Sequence, residues 1–231
     1  VEFSNVLIVA SRSHSIGGSL NDYLEVNNLV IKTLNQIKFS QIKRPKFTLL
    51  SSISIYDRSS LFIDENTTPM PSDYYSESKI LLEQSIHQIS IECEGDLLIC
   101  RLPVFLYQGV SKVNGNFLAK LSLAINSKST FSLTNPDAFL GAVFDVDNLV
   151  MLDQKKIDKF KIVNCSSIPD ITFRQIGELA MKHGLKAIDW TESDRPSLKI
   201  CLKNLDKILG YKPSAKKIIE HWLPAELLKS S

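Results

Sequence analysis

Val6-Leu7-Ile8-Val9-Ala10 is an unbroken apolar run between polar flanks, and it predicts a strand buried on both faces in the middle of a parallel sheet. Behind it, Leu20, Tyr23, Leu24, Leu29, Ile31 and Leu34 fall at the spacing of one helix face, predicting a helix from Leu20 to Ile37. Phe47-Thr48-Leu49-Leu50 reads as a second strand. A polar loop from Asp57 to Pro71, with two prolines and no periodicity, leads to a helix over Tyr74 to Glu92. Asp73 or Ser72 can cap that helix, with Glu77 placed for a capping contact. Leu97-Leu98-Ile99-Cys100 is a third strand. Strand, helix, strand, helix, strand at this spacing predicts right-handed βαβ units around a parallel sheet.

After Arg101 the pattern loosens. Helices are predicted over Asn114 to Asn126, from Val146 to Leu152, over Phe173 to His183, and in two short pieces at Leu202 to Leu209 and Ala215 to Trp222. Ala142-Val143-Phe144 and Phe160-Lys161-Ile162-Val163 read as strands. Gly210 sits where a left-handed residue ends a helix, with Pro213 just beyond. No repeat, low-complexity tract or linker separates two lobes. The organisation expected is a catalytic core over residues 1–108, then a mixed segment over 109–231 that completes the sheet and forms a small interwoven lobe.

Composition narrows the function classes. The 231 residues hold 27 basic and 25 acidic side chains, a net charge of +2, without the clustered basic face that nucleic acid requires. No apolar run reaches the ~20 residues that span a bilayer, and Val1 to Asn5 does not resemble a signal peptide. Cys93, Cys100, Cys165 and Cys201 lack metal or disulfide spacing and read as small buried residues in a reducing compartment. His14, His87, His183 and His221 share no metal spacing either. Trp190 and Trp222 read as packing residues. A cytoplasmic protein with no metal, nucleic-acid or membrane partner is expected.

The local chemistry lies in Tyr75-Ser76-Glu77-Ser78-Lys79. Four residues apart on a helix, the phenol and the ammonium share a face, with Cβ atoms about 5–6 Å apart. A phenol titrates at about 10 and is a poor base at neutral pH, and a neighbouring fixed cation favours the phenolate. Such a pair can exchange a proton with a carbinol or carbonyl. Taken alone, an exposed helix that happens to carry Tyr and Lys explains the pair as well. Ser51-Ser52-Ile53-Ser54-Ile55-Tyr56, however, directly follows a strand, at the sheet edge where open parallel sheets bind ligands. Ser52 there can hold the oxygen that Tyr75 protonates, or it can simply cap the strand end.

Ser-Ser-x-x-x-Tyr after a strand, then Glu65 and Pro71, then Tyr-x-x-x-Lys, resembles the extended short-chain dehydrogenase/reductases, the NAD(P)-dependent epimerase/dehydratase group that acts on nucleotide sugars. Val6 to Ala10 resembles the family's fourth strand, whose end lines the cofactor. Tyr23-Leu24-Glu25-Val26-Asn27 resembles the helix with its structural asparagine. Arg101-Leu102-Pro103 resembles the strand end against the nicotinamide, Val146-Asp147-Asn148-Leu149 the stretch before a late helix, and Leu209-Gly210-Tyr211-Lys212-Pro213 the C-terminal Leu-Gly-aromatic-x-Pro. The resemblance implies a Rossmann-type α/β fold, NAD or NADP as cofactor and a nucleotide-sugar substrate of the kind used in polysaccharide biosynthesis. Tyr75 would be the acid/base, Lys79 would lower its pKa and contact the nicotinamide ribose, and Ser52 would orient the substrate. Asn27 would be a structural or relay residue, Ala10 and Pro103 would line the cofactor, and Arg195 would reach the diphosphate. It leaves a homodimer open.

The family's opening Gly-x-x-Gly-x-x-Gly turn has no counterpart here. Ser15-Ile16-Gly17-Gly18-Ser19 lies after the fourth strand and reads as a loop, not a phosphate cradle. The N-terminal strands are therefore expected to be missing, on the order of sixty residues, either preceding Val1 or lying on another chain. Val104 replaces a substrate-binding asparagine, and Ile53-Ser54 replaces the Asp-Glu of dehydratases, leaving epimerase or ketone reductase. The alternative is a non-catalytic binding or regulatory module of the same fold.

Overall fold

The computed structural model describes residues 5–9, 17–37, 44–57, 59–107, 117–140, 142–192 and 198–228. In chain order the elements are β1 (Asn5–Ile8), α1 (Leu20–Gln36), β2 (Lys46–Ser52), a 3-10 turn (Ile53–Ile55), β3 (Phe62–Ile63), α2 (Tyr74–Glu92), β4 (Asp96–Leu102), β5 (Val104–Leu106), α3 (Phe117–Asn126), β6 (Thr130–Thr134), β7 (Val143–Asp145), α4 (Val146–Asp153), β8 (Phe160–Asn164), α5 (Phe173–Lys182), β9 (Ala187–Thr191), β10 (Lys199–Ile200), α6 (Lys203–Leu209) and α7 (Ala215–Leu228). They form two compact units, Val1–Leu102 with Asp153–Cys165, and Pro103–Leu152 with Ser166–Ser231.

The first unit is a Rossmann-type α/β layer. Its sheet runs β1-β2-β4-β8 with every pair parallel. Side chains alternate across a strand, so Phe47, Leu49, Leu97 and Ile99 share one face, where they pack with Leu34 of α1 and with Leu82, Ile86 and Ile89 of α2. Both helices begin with strong caps. Ser19 accepts from the Asp22 amide while Asp22 accepts from the Ser19 amide, a reciprocal capping box. Asp73 accepts from the amide of Ser76, so the partner in that turn is Ser76 and not the expected Glu77. Gly95 ends the turn after α2 because a Cβ there would lie 2.6 Å from the Pro45 carbonyl oxygen.

β1 differs from expectation. Among the described residues it pairs only with β2, at the end of the sheet order. Val6 and Ile8 meet the core under α1 and α2, but Leu7 and Val9 are 49% and 58% exposed. Both helices lie on one face, so an apolar run read as buried on two faces is covered on one.

The second unit carries two parallel strand pairs, β5 with β7 and β6 with β9. Its core gathers Leu118 and Leu121 of α3, Ile176 of α5, and Ile219, Trp222 and Leu223 of α7. Trp222 is buried as expected and its indole donates to the Tyr107 carbonyl at 3.1 Å, whereas Trp190 is partly exposed beneath the Arg174 guanidinium. Gly210 ends α6 at φ 82°, where any other L residue is strained. Cys100 and Cys165 are buried, but Cys93 and Cys201 are only half-buried. No helix among the described residues is long and apolar enough to cross a membrane.

An unpaired edge with an apolar outer face invites strand addition. Leu7→Lys is expected to lower self-association in dynamic light scattering while moving stability by no more than about 0.5 kcal/mol, since Leu7 supports no described core.

Candidate active site

The carboxyl end of β2 delivers Ser52, and the first turn of α2 delivers Tyr75 beside it. Ser52 starts the 3-10 turn, its hydroxyl accepting from the Ser54 amide at 3.1 Å and from the Ser54 hydroxyl at 2.9 Å. The strand-end capping role is therefore real, and the Ser52 side chain also favours the Tyr75 phenolate against burial. Asp73 ties down the turn beneath, accepting from the Ser76 hydroxyl at 2.6 Å.

One helical turn on, Lys79 is only 5% exposed. Its ammonium donates to the Leu50 carbonyl at 3.0 Å and lies 5.7 Å from the centre of the Tyr75 ring. Burial pulls its pKa down to about 8, with Glu83 opposing. Burial also pushes the Tyr75 phenol above its ordinary value; Ser52 counters this, while Asp73 and Tyr23 add to it. This reverses the expected direction, in which Lys79 would lower it. The ammonium sits over the ring and bonds a backbone carbonyl, and desolvation of the phenolate outweighs what a cation so placed supplies. Tyr75 is thus a neutral phenol at pH 7.

Asn27 is buried, and its amide donates to the Ser78 carbonyl at 2.8 Å, pinning α1 to α2. The structure thereby gathers Ser52, Tyr75, Lys79 and Asn27 in one unit. Pro103 follows directly on β4, at the start of the second unit. Ala10 and Arg195 lie outside the described residues.

A second cluster stands behind the first. Arg101 grips Glu83 with two nitrogens, at 3.1 and 2.7 Å, and donates to the Tyr56 hydroxyl at 2.6 Å. That hydroxyl donates in turn to the Asn164 side-chain carbonyl at 2.9 Å, and the Asn164 amide meets Glu65 at 2.9 Å. All but Glu65 are buried. The sequence singled out neither Glu83 nor Asn164. Glu83 lies four residues after Lys79, as Lys79 lies four after Tyr75, and that continuing stripe was the available signal.

The chain has the fold of the extended short-chain dehydrogenase/reductases. It superposes on RMD from Pseudomonas aeruginosa, a structure complexed with NADPH, with TM-score 0.74 and 18% identity, over 97% of this chain and 79% of that one. UDP-glucose 4-epimerase of Thermotoga maritima, solved with UDP-glucose, gives TM-score 0.75 and 14% identity over 98% and 77%. MoeE5 in complex with UDP-glucose and NAD gives TM-score 0.74 and 12% identity over 99% and 80%. No family model and no curated protein sequence matches the chain.

The nicotinamide end of a dinucleotide fits this short-chain dehydrogenase/reductase fold: the ammonium of Lys79 has one described hydrogen-bond partner for three N–H donors. Its pyrophosphate does not fit at α1, where the Ser19 amide already meets the Asp22 carboxylate and the Asp22 amide the Ser19 hydroxyl. Among the described residues no cluster of three His, Cys, Asp or Glu converges as a metal site.

Lys79 and Arg101 make opposite predictions. A lysine with a lowered folded pKa destabilises fully below its folded value and less as pH rises toward its unfolded one. Lys79→Met is therefore expected to stabilise by up to about 3 kcal/mol at pH 7, and the gain shrinks from pH about 8, where Lys79 begins to lose its proton when folded, toward the ordinary lysine value of 10.5. Arg101→Met, which strands Glu83, is expected to cost about 3–5 kcal/mol, with Glu83→Leu added in the double variant recovering most of it. Denaturant melts across pH check both.

Proposed function

We propose that this chain is an NAD(P)-dependent oxidoreductase or epimerase acting on a nucleotide sugar, with Ser52, Tyr75 and Lys79 as its acid/base set. The observation that carries this is the gathering, at the carboxyl edge of a parallel sheet, of Ser52, whose side chain favours the Tyr75 phenolate, with a buried lysine whose ammonium lies 5.7 Å from the Tyr75 ring centre. Similarity of fold to structures holding NADPH, NAD and UDP-glucose supports the same substrate class and cofactor. NAD or NADP supplies, when bound, the ring that exchanges a hydride with the sugar carbon.

The chain's own residues handle the proton. Tyr75, held neutral by burial, donates it to a sugar carbonyl oxygen, and Ser52 holds that oxygen by a hydrogen bond, leaving little to reorganise as charge develops. In the reverse sense Tyr75 must first lose its proton, which burial opposes. Lys79 meets the ribose with its unspent donors and supplies the positive charge that stabilises a transient phenolate. Asn27 holds α2 in register. Ala10 and Pro103 as cofactor contacts, and Arg195 as a diphosphate contact, belong to the same reading and rest on the sequence resemblance.

Calorimetric titration with NAD(H) and NADP(H), beside turnover of UDP-sugars, tests it. Tyr75→Phe is expected to lower turnover by about 10²–10⁴-fold while leaving cofactor affinity within threefold, because it removes a proton and no binding contact. Wild-type turnover is expected to fall on the alkaline side with a midpoint of about 8 as Lys79 loses its charge. Cofactor binding without turnover, unchanged by Tyr75→Phe, would replace the enzyme with a binding module.

A further inference from the structure

A cavity of about 570 Å³ lies within the second unit, bordered by the loop after β8 and by the segment from Leu198 into α6. That volume lies within the ~300–1,000 Å³ of small-molecule sites. Its wall is largely apolar, and Phe139 on its border is 51% exposed, an aromatic ring left facing water. Ser167 also lines it. This residue is only 2% exposed, yet its hydroxyl has no hydrogen-bond partner among the described residues. A hydroxyl so enclosed lies behind the cavity wall, so the groups that can meet an occupant are the apolar wall and the charged side chains.

Charge defines the occupant further. Lys199, Lys203 and Lys212 border the cavity with one carboxylate, Asp206. Lys212 and Asp206 stand 3.9 Å apart and pair with each other, which leaves Lys199 and Lys203 as two cations without an ion-pair partner among the described residues. A phosphate monoester carries a charge of about −1.5 to −2 at pH 7, which matches that surplus, and lysine is a common point-charge partner of phosphate.

We propose that this cavity binds a phosphate monoester carried on an apolar, ring-sized body. Lys199 and Lys203 receive the phosphate, and the apolar wall with Phe139 covers the body. None of these residues belongs to the Ser52–Tyr75–Lys79 set, so the site stands or falls independently of the acid/base reading.

Calorimetry on the whole chain with phenyl phosphate as probe tests it, with inorganic phosphate and phenol as controls. Expected is one-to-one binding of phenyl phosphate, with each control at least about tenfold weaker because it engages half of the site. The Lys199→Met/Lys203→Met double variant, altered at two exposed positions, is expected to lose about tenfold or more in affinity. No heat with millimolar phenyl phosphate overturns the proposal. So does inorganic phosphate binding as tightly as the ester, or an affinity unmoved by the double lysine substitution.

Discussion

A cation taken out of water must find something to face, and this constraint organises the carboxyl edge of the sheet. Two buried cations, Lys79 and Arg101, reach the carboxyl ends of neighbouring strands, with one buried carboxylate, Glu83, between them. Arg101 takes the carboxylate through both oxygens. Lys79 receives only a backbone carbonyl and the distant field of Glu83, so its pKa falls while it remains partly charged. Because Lys79 and Glu83 are a turn apart on α2, the two cations together allow one rotation of that helix over the sheet. That rotation sets Tyr75 beside Ser52. The geometry of the proposed proton donor thus follows from where two positive charges can be tolerated.

This arrangement exchanges stability for reactivity. A methionine at position 79 would sit more easily among Leu82 and Ile86 than an ammonium does, and the fold keeps the ammonium. The neighbouring Arg101–Glu83–Tyr56–Asn164 network works the other way, since each charged member is matched and the pair cannot be halved without leaving an ion stranded. One cluster bears strain at the place where chemistry is proposed, and the other keeps that place rigid.

Much of the first unit could be read from the chain. α1 was legible from its amphipathic spacing and α2 from the cap at Asp73, although α2 buries polar as well as apolar side chains. β6 and β9 were not foreseen, although Thr130 to Thr134 and Ala187 to Thr191 both alternate polar and apolar residues. Short strands of this kind are defined by their partner, and partners are a tertiary fact. The same holds at the site. Spacing alone puts Tyr75 and Lys79 on one helix face, but it does not carry burial, and burial reverses the expected direction of the phenol's pKa. Glu83 was one more step along the same stripe; its partner Arg101 is on another element and came only with the fold.

The first unit is also discontinuous along the chain. β8 joins β4 only after the polypeptide has passed through β5 to α4 in the second unit, and Asn164 accepts from a hydroxyl 108 positions behind it. As the protein is synthesised from its N-terminus, β1, β2 and β4 can assemble early, while the Tyr56 hydroxyl waits for an acceptor that has yet to emerge. The core behind the proposed site therefore closes late, through contacts of long sequence separation, which fold slowly. A nascent chain stalled before β8 would hold the proposed acid/base residues without the last strand that fixes their surroundings, and translation speed across that interval would set how long the half-built sheet stands open.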